Sequence, residues 1–123
     1  EAARTLPFTR GTTEEVLAAL NVWKAALEAQ SVAQVVPCYS DQFQHPEYGD
    51  KAGVRSYFEE AKLDGYLEGL QVDSSAAAIA FDAGRAVIQD IRLNGKFGAL
   101  LYRLILANEQ GSWRIVGTDA SPL

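Results

Sequence analysis

The only histidine in the chain, His45, lies in the stretch DQFQHPEYGD, directly before a proline. An imidazole is a competent general acid or base near neutral pH, so His45 is the first candidate for a catalytic group. The alternative is a polar side chain in a turn, because the residue before a proline is held away from the helical backbone conformation. The sequence leaves both interpretations open.

The stretch QDIR places Asp90 and Arg92 two residues apart on a predicted strand, so both side chains share one face of the sheet. The pair either lines a pocket or forms a solvent-facing ion pair on the outer face. We favour the outer face, in which case the opposite row lines an apolar interior. The members of that row are Val87, Gln89, Ile91 and Leu93.

The single cysteine, Cys38, excludes an intrachain disulfide and a cysteine-based metal site. It lies in the apolar run VAQVVPCY, which indicates a small buried hydrophobic residue, whereas a catalytic thiol would need His45 as its partner. The carboxylates show no metal-ligand spacing, and NGKFGA is typical of a hairpin turn rather than a phosphate-binding loop. We therefore expect neither a metal nor a cofactor.

Length and charge narrow the class of protein. The 123 residues fit one domain, and the net charge of −5 argues against a nucleic-acid or membrane partner, since both require a basic face. No stretch approaches the ~20 apolar residues of a transmembrane helix. We expect a flexible N-terminal segment over residues 1–12 and a single domain over residues 13–121. The opening residues are compatible with an exported mature chain and with a cytoplasmic one.

The first half of the chain predicts three helices. The first begins at Thr12 or Thr13 as its N-cap and presents one apolar face, formed by Val16, Leu20, Trp23 and Leu27. Ser31 is predicted to cap a short helix that Pro37 limits, and Asp50 is predicted to cap the third helix, KAGVRSYFEEAKL. Between them, DQFQHP is predicted to be a brief extended segment.

The second half predicts four antiparallel strands joined by tight turns. The strands are LQVDSSAAAIAF, RAVIQDIRL, KFGALLYRLILA and SWRIVGTDA, and the turns are DAG, NG and NEQG. The alternation of side chains along a strand predicts one inward-facing row on each of the last two strands. On KFGALLYRLILA the row is Leu100, Tyr102, Leu104 and Leu106, and on SWRIVGTDA it is Trp113, Ile115, Gly117 and Asp119. Helices followed by a sheet define the α+β class.

Three segments in this order resemble a known superfamily. YSDQFQHP is similar to the stretch that leads into its first strand, DKAGVRSYFEEA to the start of its third helix, and GSWRIVGTDAS to its closing strand. From about Thr13 to Ser121 the chain resembles the nuclear transport factor 2-like (NTF2-like) superfamily, which includes ketosteroid-isomerase-like and SnoaL-like proteins. The resemblance implies a cystatin-like α+β roll, in which a cone-shaped, curled antiparallel sheet wraps around three N-terminal helices and encloses a pocket. Members of this group perform unrelated functions, so the fold does not define an activity.

The resemblance also implies roles for particular residues. Ketosteroid isomerases place their general base, an aspartate, directly before a proline, and His45 occupies that place here. Their oxyanion-stabilising tyrosine corresponds to Trp23, and their second donor falls near Tyr102, where no carboxylate is present. We therefore do not expect steroid isomerisation.

Two other branches of the superfamily suggest different partners. SnoaL-like cyclases often carry a histidine or an acid near the end of the last strand, which corresponds to Asp119, so a His45–Asp119 dyad is one candidate. The limonene-epoxide-hydrolase branch uses a carboxylate–arginine–carboxylate set, for which Asp90, Arg92 and Asp119 have suitable residue types. In this sequence the order of acid and arginine on the strand is reversed relative to that branch.

Large side chains from every predicted element surround the implied pocket and suit a flat hydrophobic ligand. Tyr48 lies in a predicted rim loop and is a candidate lid. The candidate ligand-binding residues are Trp23, Leu27, Tyr48, Tyr57, Phe58, Tyr66, Tyr102 and Trp113.

Three hypotheses follow. The first is a small-molecule-binding protein with an apolar pocket. The second is an isomerase-like, cyclase-like or epoxide-hydrolase-like enzyme with His45 as general base. The third, compatible with either, is a homodimer that packs through the apolar residues of the outer sheet face, Leu101, Ile105 and Val116.

Overall fold

The helices form the first half of the molecule. The computed structural model describes residues 10–122, with side chains from Thr12 onward. Helix α1 spans Arg10–Glu28, the short α2 spans Val32–Val35 and continues as a 3₁₀ turn over Val36–Cys38, and α3 spans Lys51–Leu63.

Local capping explains where two of the three helices begin. The Ser31 hydroxyl accepts a hydrogen bond from the amide of Gln34, and the Asp50 carboxylate accepts one from Gly53, so both predicted N-caps are confirmed. The predicted cap of α1 at Thr12 or Thr13 is wrong, because this helix already begins at Arg10. Helix α1 therefore begins inside the predicted N-terminal segment, and residues 1–9 of that segment lie outside the described residues.

Five strands form one antiparallel sheet, and the central strand β3 is its organising element. The predicted strand LQVDSSAAAIAF is divided by a turn into two short strands, and both pair with β3. Strand β4 then pairs with β3, and β5 pairs with β4. The strands are β1 Gln71–Asp73, β2 Ala78–Asp82, β3 Arg85–Gly95, β4 Gly98–Glu109 and β5 Ser112–Pro122.

The hairpin turns agree with the sequence except for one. In the predicted DAG and NEQG turns the two central residues have positive φ, which is the type I′ geometry that matches the twist of a hairpin. The predicted turn at Asn94–Gly95 lies two residues too early, because Gly95 still pairs with Gly98. Lys96 and Phe97 form the connecting loop instead.

Two β-bulges alter which side chains face the helices. The pairing of β3 with β4 shifts between Ile88 and Ile91, where Asp90 has a φ of +63°, and the pairing of β4 with β5 shifts beside Val116. An extra residue reverses the alternation beyond it. The predicted rows hold for β4 but change within β3 and β5.

The sheet curls around the helices without closing, and the core lies between its concave face and α1. The α+β fold class, with a curled antiparallel sheet around three N-terminal helices, is confirmed. The predicted extended segment DQFQHP begins with a turn and forms no strand, and within it only His45 makes an isolated bridge, to Gly49. Just before the segment, a parallel bridge joins Tyr39 to Ile115 of β5. The largest fully buried side chains are Trp23, Phe43, Leu20, Ile88, Ile91, Leu104, Leu106 and Ile115.

Within residues 10–122, none of the helices combines the length and the apolar character that crossing a membrane would require.

Candidate functional site

A cavity of about 530 Å³ opens between α1, α3 and the concave face of the sheet. Cavities that hold drug-sized molecules generally measure about 300–1,000 Å³, so this one is large enough for a small ligand. Helix α1 provides Trp23 and Leu27, while β4 provides Leu100 and Tyr102. The other walls come from α3, the loop before β1 and the β3–β4 hairpin.

The deep wall of the cavity is apolar. Trp23 has only 1% of its surface exposed, and its indole N–H donates a hydrogen bond of 3.2 Å to the hydroxyl of the equally buried Tyr39. The Trp23 ring lies 5.8 Å from the Tyr102 ring, measured between centroids. Because the donor of Trp23 is already satisfied by Tyr39, the face that the indole turns to the cavity is apolar.

Two tyrosines, Tyr57 and Tyr102, form a polar strip along the side of the cavity. Tyr48 packs behind them, and its ring centroid lies 4.7 Å from that of Tyr57. Burial raises the pKa of Tyr57 to about 12, with a further contribution from Tyr48. Burial likewise raises the pKa of Tyr102 well above its usual value. Like any tyrosine with a pKa of 10 or above, both residues are protonated at neutral pH, and a protonated hydroxyl can donate a hydrogen bond.

The mouth of the cavity is lined by exposed aromatic rings. Tyr57 is 44% exposed, Tyr66 48% and Phe97 40%, and all three line the opening. Large aromatic side chains are rarely left this open in a cluster unless something covers them. Two carboxylates also line the cavity, Glu60 on α3 and Asp64 at the C-cap of this helix.

One lysine also lies at the mouth. Lys96, in the β3–β4 hairpin loop, forms an ion pair of 2.8 Å with Glu68 in the loop that follows α3. This contact lowers the pKa of Glu68. The ion pair thereby links the β3–β4 hairpin loop to the loop that follows α3.

His45 lies in a turn outside the main cavity. Its Nδ1 accepts hydrogen bonds from the backbone N–H groups of Glu47, at 3.0 Å, and Tyr48, at 3.3 Å. The network therefore assigns the proton of the neutral ring to Nε2, so His45 offers a donor rather than a lone pair. The imidazole stacks on the Tyr48 ring at 4.5 Å.

His45 and Asp119 border the same shallow depression, of about 310 Å³, on the far side of Tyr48. No hydrogen bond joins the two among the described side chains. Asp119 instead forms an ion pair of 3.0 Å with Arg103 on the outer sheet face, and 66% of its side chain is exposed. The bulge beside Val116 causes this outward orientation, because it places Thr118 rather than Asp119 on the inner face.

Asp90 and Arg92 both lie on the exposed surface of β3, and neither lines the main cavity. Asp90 occupies the bulge and borders an outer depression with Arg103 and Asp119. The predicted inner row of β3 is corrected by this bulge. Ile91 and Leu93 face inward as expected, but the buried residue before the bulge is Ile88, and Gln89 is exposed.

Six of the eight candidate ligand-binding residues line the main cavity: Trp23, Leu27, Tyr57, Phe58, Tyr66 and Tyr102. Tyr48 lies behind this wall. Trp113 borders a second cavity, of about 360 Å³, between α1 and the start of β5, where its indole N–H donates to Glu15 at 3.3 Å. Cys38 lines that second cavity, and burial raises the pKa of its thiol.

Several residues of the main cavity were not predicted from the sequence. Leu67 and Leu70 come from the loop DGYLEGL, where apolar residues spaced among glycines were the available indication. Glu60, Asp64 and Lys96 also line the cavity without having been predicted to do so. Leu93 and Leu100, which the alternation predicted to face inward, contribute to its walls, as do Ala61 and Phe97.

Across the described part of the chain, no three potential metal-ligating side chains lie close enough together to hold an ion.

Comparison with known proteins gives structural similarity only. No protein-family model matches the sequence, and a search of curated proteins gives no significant match. A cystatin-like protein of unknown function from Nostoc punctiforme superposes with a TM-score of 0.74 at 16% identity, covering 91% of each chain.

Two further structures bear names that suggest an activity. A protein from Streptomyces avermitilis, proposed to be a dehydratase of the NTF2-like family, gives a TM-score of 0.71 at 14% identity and covers 94% of this chain and 99% of its own. A proposed scytalone dehydratase from Novosphingobium aromaticivorans gives a TM-score of 0.70 at 9% identity and covers 91% of this chain and 84% of its own. The resemblance found in the sequence is confirmed as a fold: the chain has the NTF2-like, cystatin-like architecture.

Proposed function

We propose that this protein binds a small, flat and largely apolar molecule in its main cavity. The observation that carries the proposal is the cavity itself, about 530 Å³ in volume, with an apolar deep wall around Trp23 and exposed aromatic rings at its mouth. Covering these surfaces with an apolar ligand removes them from water, at about 25 cal/mol per Å².

The polar strip would orient the ligand. Tyr57 and Tyr102 line the cavity, and in the proposed complex a carbonyl, ether or hydroxyl oxygen on the ligand accepts a hydrogen bond from one of their hydroxyls. A few convergent polar groups within apolar walls are typical of small-molecule sites.

Calorimetric titration with flat neutral probes such as β-naphthylmethanol tests the proposal. Ala61 lies on the α3 wall, and Ala61→Leu would fill part of the cavity without adding charge. The matched control is Ala52→Leu, at an exposed position of the same helix that does not line the cavity. We expect Ala61→Leu to weaken binding at least tenfold and Ala52→Leu to leave it unchanged. Equal binding by all three proteins would reject the cavity as the site.

Catalysis involving His45 is the second candidate. The observation in its favour is that the imidazole stacks on the Tyr48 ring, which in turn packs on the ring of the cavity residue Tyr57. Against it, the Nδ1 lone pair is engaged by two backbone amides. The enzyme hypothesis requires that a ligand bound in the cavity changes the His45 ring resonances in NMR spectra. His45 resonances that do not shift when any probe binds would count against the enzyme hypothesis.

A further inference from the structure

We propose that the ligand carries a positively charged group that lies at the mouth of the cavity while its apolar part fills the interior. This inference rests on the proposed function and specifies the chemical class of the ligand as an amphipathic organic cation, such as an aryl-alkyl ammonium.

The carboxylates at the mouth are arranged unfavourably when the cavity is empty. Glu60 and Asp64 lie four residues apart and so share one side of α3, where like charges destabilise a helix. Asp64 is also the C-cap residue, close to the partially negative end of the helix dipole, where an anion is disfavoured. No ion pair of either side chain is found among the described residues.

Among the described residues, Lys96 is the cation that lines the opening, and it offsets only part of this negative charge. Its ammonium forms an exposed ion pair of 2.8 Å with Glu68 and lies beside Gly65, the residue after Asp64. Lys62 lies in the last turn of α3 but does not line the cavity. Three carboxylates, those of Glu60, Asp64 and Glu68, therefore share one ammonium group, and the mouth keeps a net negative charge beside an apolar interior.

The exposed aromatic rings suit the same ligand. Tyr57, Tyr66 and Phe97 leave ring surface open at the mouth, and the electron-rich face of an aromatic ring attracts a cation. An anionic ligand of equal size would meet the two carboxylates and lose affinity. A neutral ligand would gain nothing from them.

Three probes with one naphthyl body and different head groups test the inference: β-naphthylmethylammonium, β-naphthylmethanol and β-naphthoate. We expect the cation to bind roughly tenfold more tightly than the neutral probe at low ionic strength, and the anion to bind most weakly. The preference should decrease with added salt, because the mouth is exposed.

The double variant Glu60→Gln/Asp64→Asn removes both charges and should reduce the preference for the cation to about twofold or less. The matched control, Glu59→Gln/Asp82→Asn, changes the net charge equally at exposed positions that do not line the cavity. It should leave the preference as in the wild type. Without ligand, the first variant should also be at least as stable as the wild type, since it removes a like-charge pair.

The outcomes separate this inference from the proposed function. Equal affinity for the cation and the neutral probe would overturn the inference and leave the binding function intact. A preference that survives in Glu60→Gln/Asp64→Asn would overturn it as well, by attributing the effect to the overall negative charge. Failure of all three probes to bind the wild type would contradict the proposed function and this inference with it.

Discussion

At the scale of single residues, the floor of the cavity depends on one buried hydrogen bond. Trp23 and Tyr39 are both nearly inaccessible, so neither polar group has water as an alternative partner. A buried group that loses its partner pays its full desolvation cost. The position of the Trp23 ring is thus set by Tyr39 rather than by the ligand.

We predict that Trp23→Phe lowers the free energy of unfolding by about 2–4 kcal/mol, through the lost hydrogen bond and the space left behind. Tyr39→Phe should cost less in the Trp23→Phe background than in the wild type, because the bond is already absent there. Urea denaturation of the four proteins of this double-mutant cycle measures the difference. Additive effects would show that the contact contributes nothing.

The tyrosine strip predicts a dependence of stability on alkaline pH. The pKa of Tyr57 is raised from 10.0 to about 12, so the folded state keeps this proton where the unfolded chain releases it. The stabilisation is complete below pH 10 and is lost as the pH rises from 10 to 12. Tyr57→Phe should reduce this loss, measured by urea denaturation across that range. An identical loss in the variant would contradict the assignment.

At the scale of elements, the bulges decide which side chains enter the cavity. The extra residue in β3 is Asp90, whose φ of +63° suits glycine, asparagine or aspartate but not a β-branched residue. Because of this residue both Ile88 and Ile91 are buried, although strict alternation would expose one of them. The sequence contains no pattern that marks such an insertion in advance.

We predict that Asp90→Val destabilises the protein by about 1–2 kcal/mol, while Asp90→Gly leaves stability within about 0.5 kcal/mol of the wild type. Both variants remove the same exposed carboxylate, so the difference between them reports the cost of holding a β-branched residue at this positive φ. Thermal unfolding provides the comparison. Equal stability of the two variants would mean that the bulge is not maintained by this residue.

The elements also show what could be predicted from the sequence. The caps at Ser31 and Asp50 and the burial of Trp23 and Leu27 depend on local chemistry and helical spacing, and these predictions agree with the structure. The predicted inward orientation of Asp119 was wrong, because the true orientation depends on a register shift in β5 that local spacing cannot reveal. Glu60 and Asp64 were not predicted to line the cavity, because its mouth forms only where the folded β3–β4 hairpin approaches the end of α3.

At the scale of the whole molecule, the outer sheet face remains a predicted dimer interface. Leu101, Ile105 and Val116 are partly exposed there, and the Arg103–Asp119 ion pair compensates the charge among them. A face that is apolar and locally neutral can pack against a second copy of itself.

We expect a sedimentation mass near twice 13.3 kDa. Ile105→Glu should yield monomers, because it places a charge in this face, whereas Val22→Glu, at an exposed position of α1, should not. A monomeric wild type at high concentration would contradict the prediction.

The most direct test of the central claim is to locate β-naphthylmethanol on the protein by intermolecular NOE measurements. A ligand inside the cavity would give contacts from the naphthyl protons to the methyl groups of Leu27 and Leu93, which lie on opposite walls. We predict both sets of contacts in the same complex. Contacts confined to Leu101 and Ile105 on the outer sheet face would contradict the account.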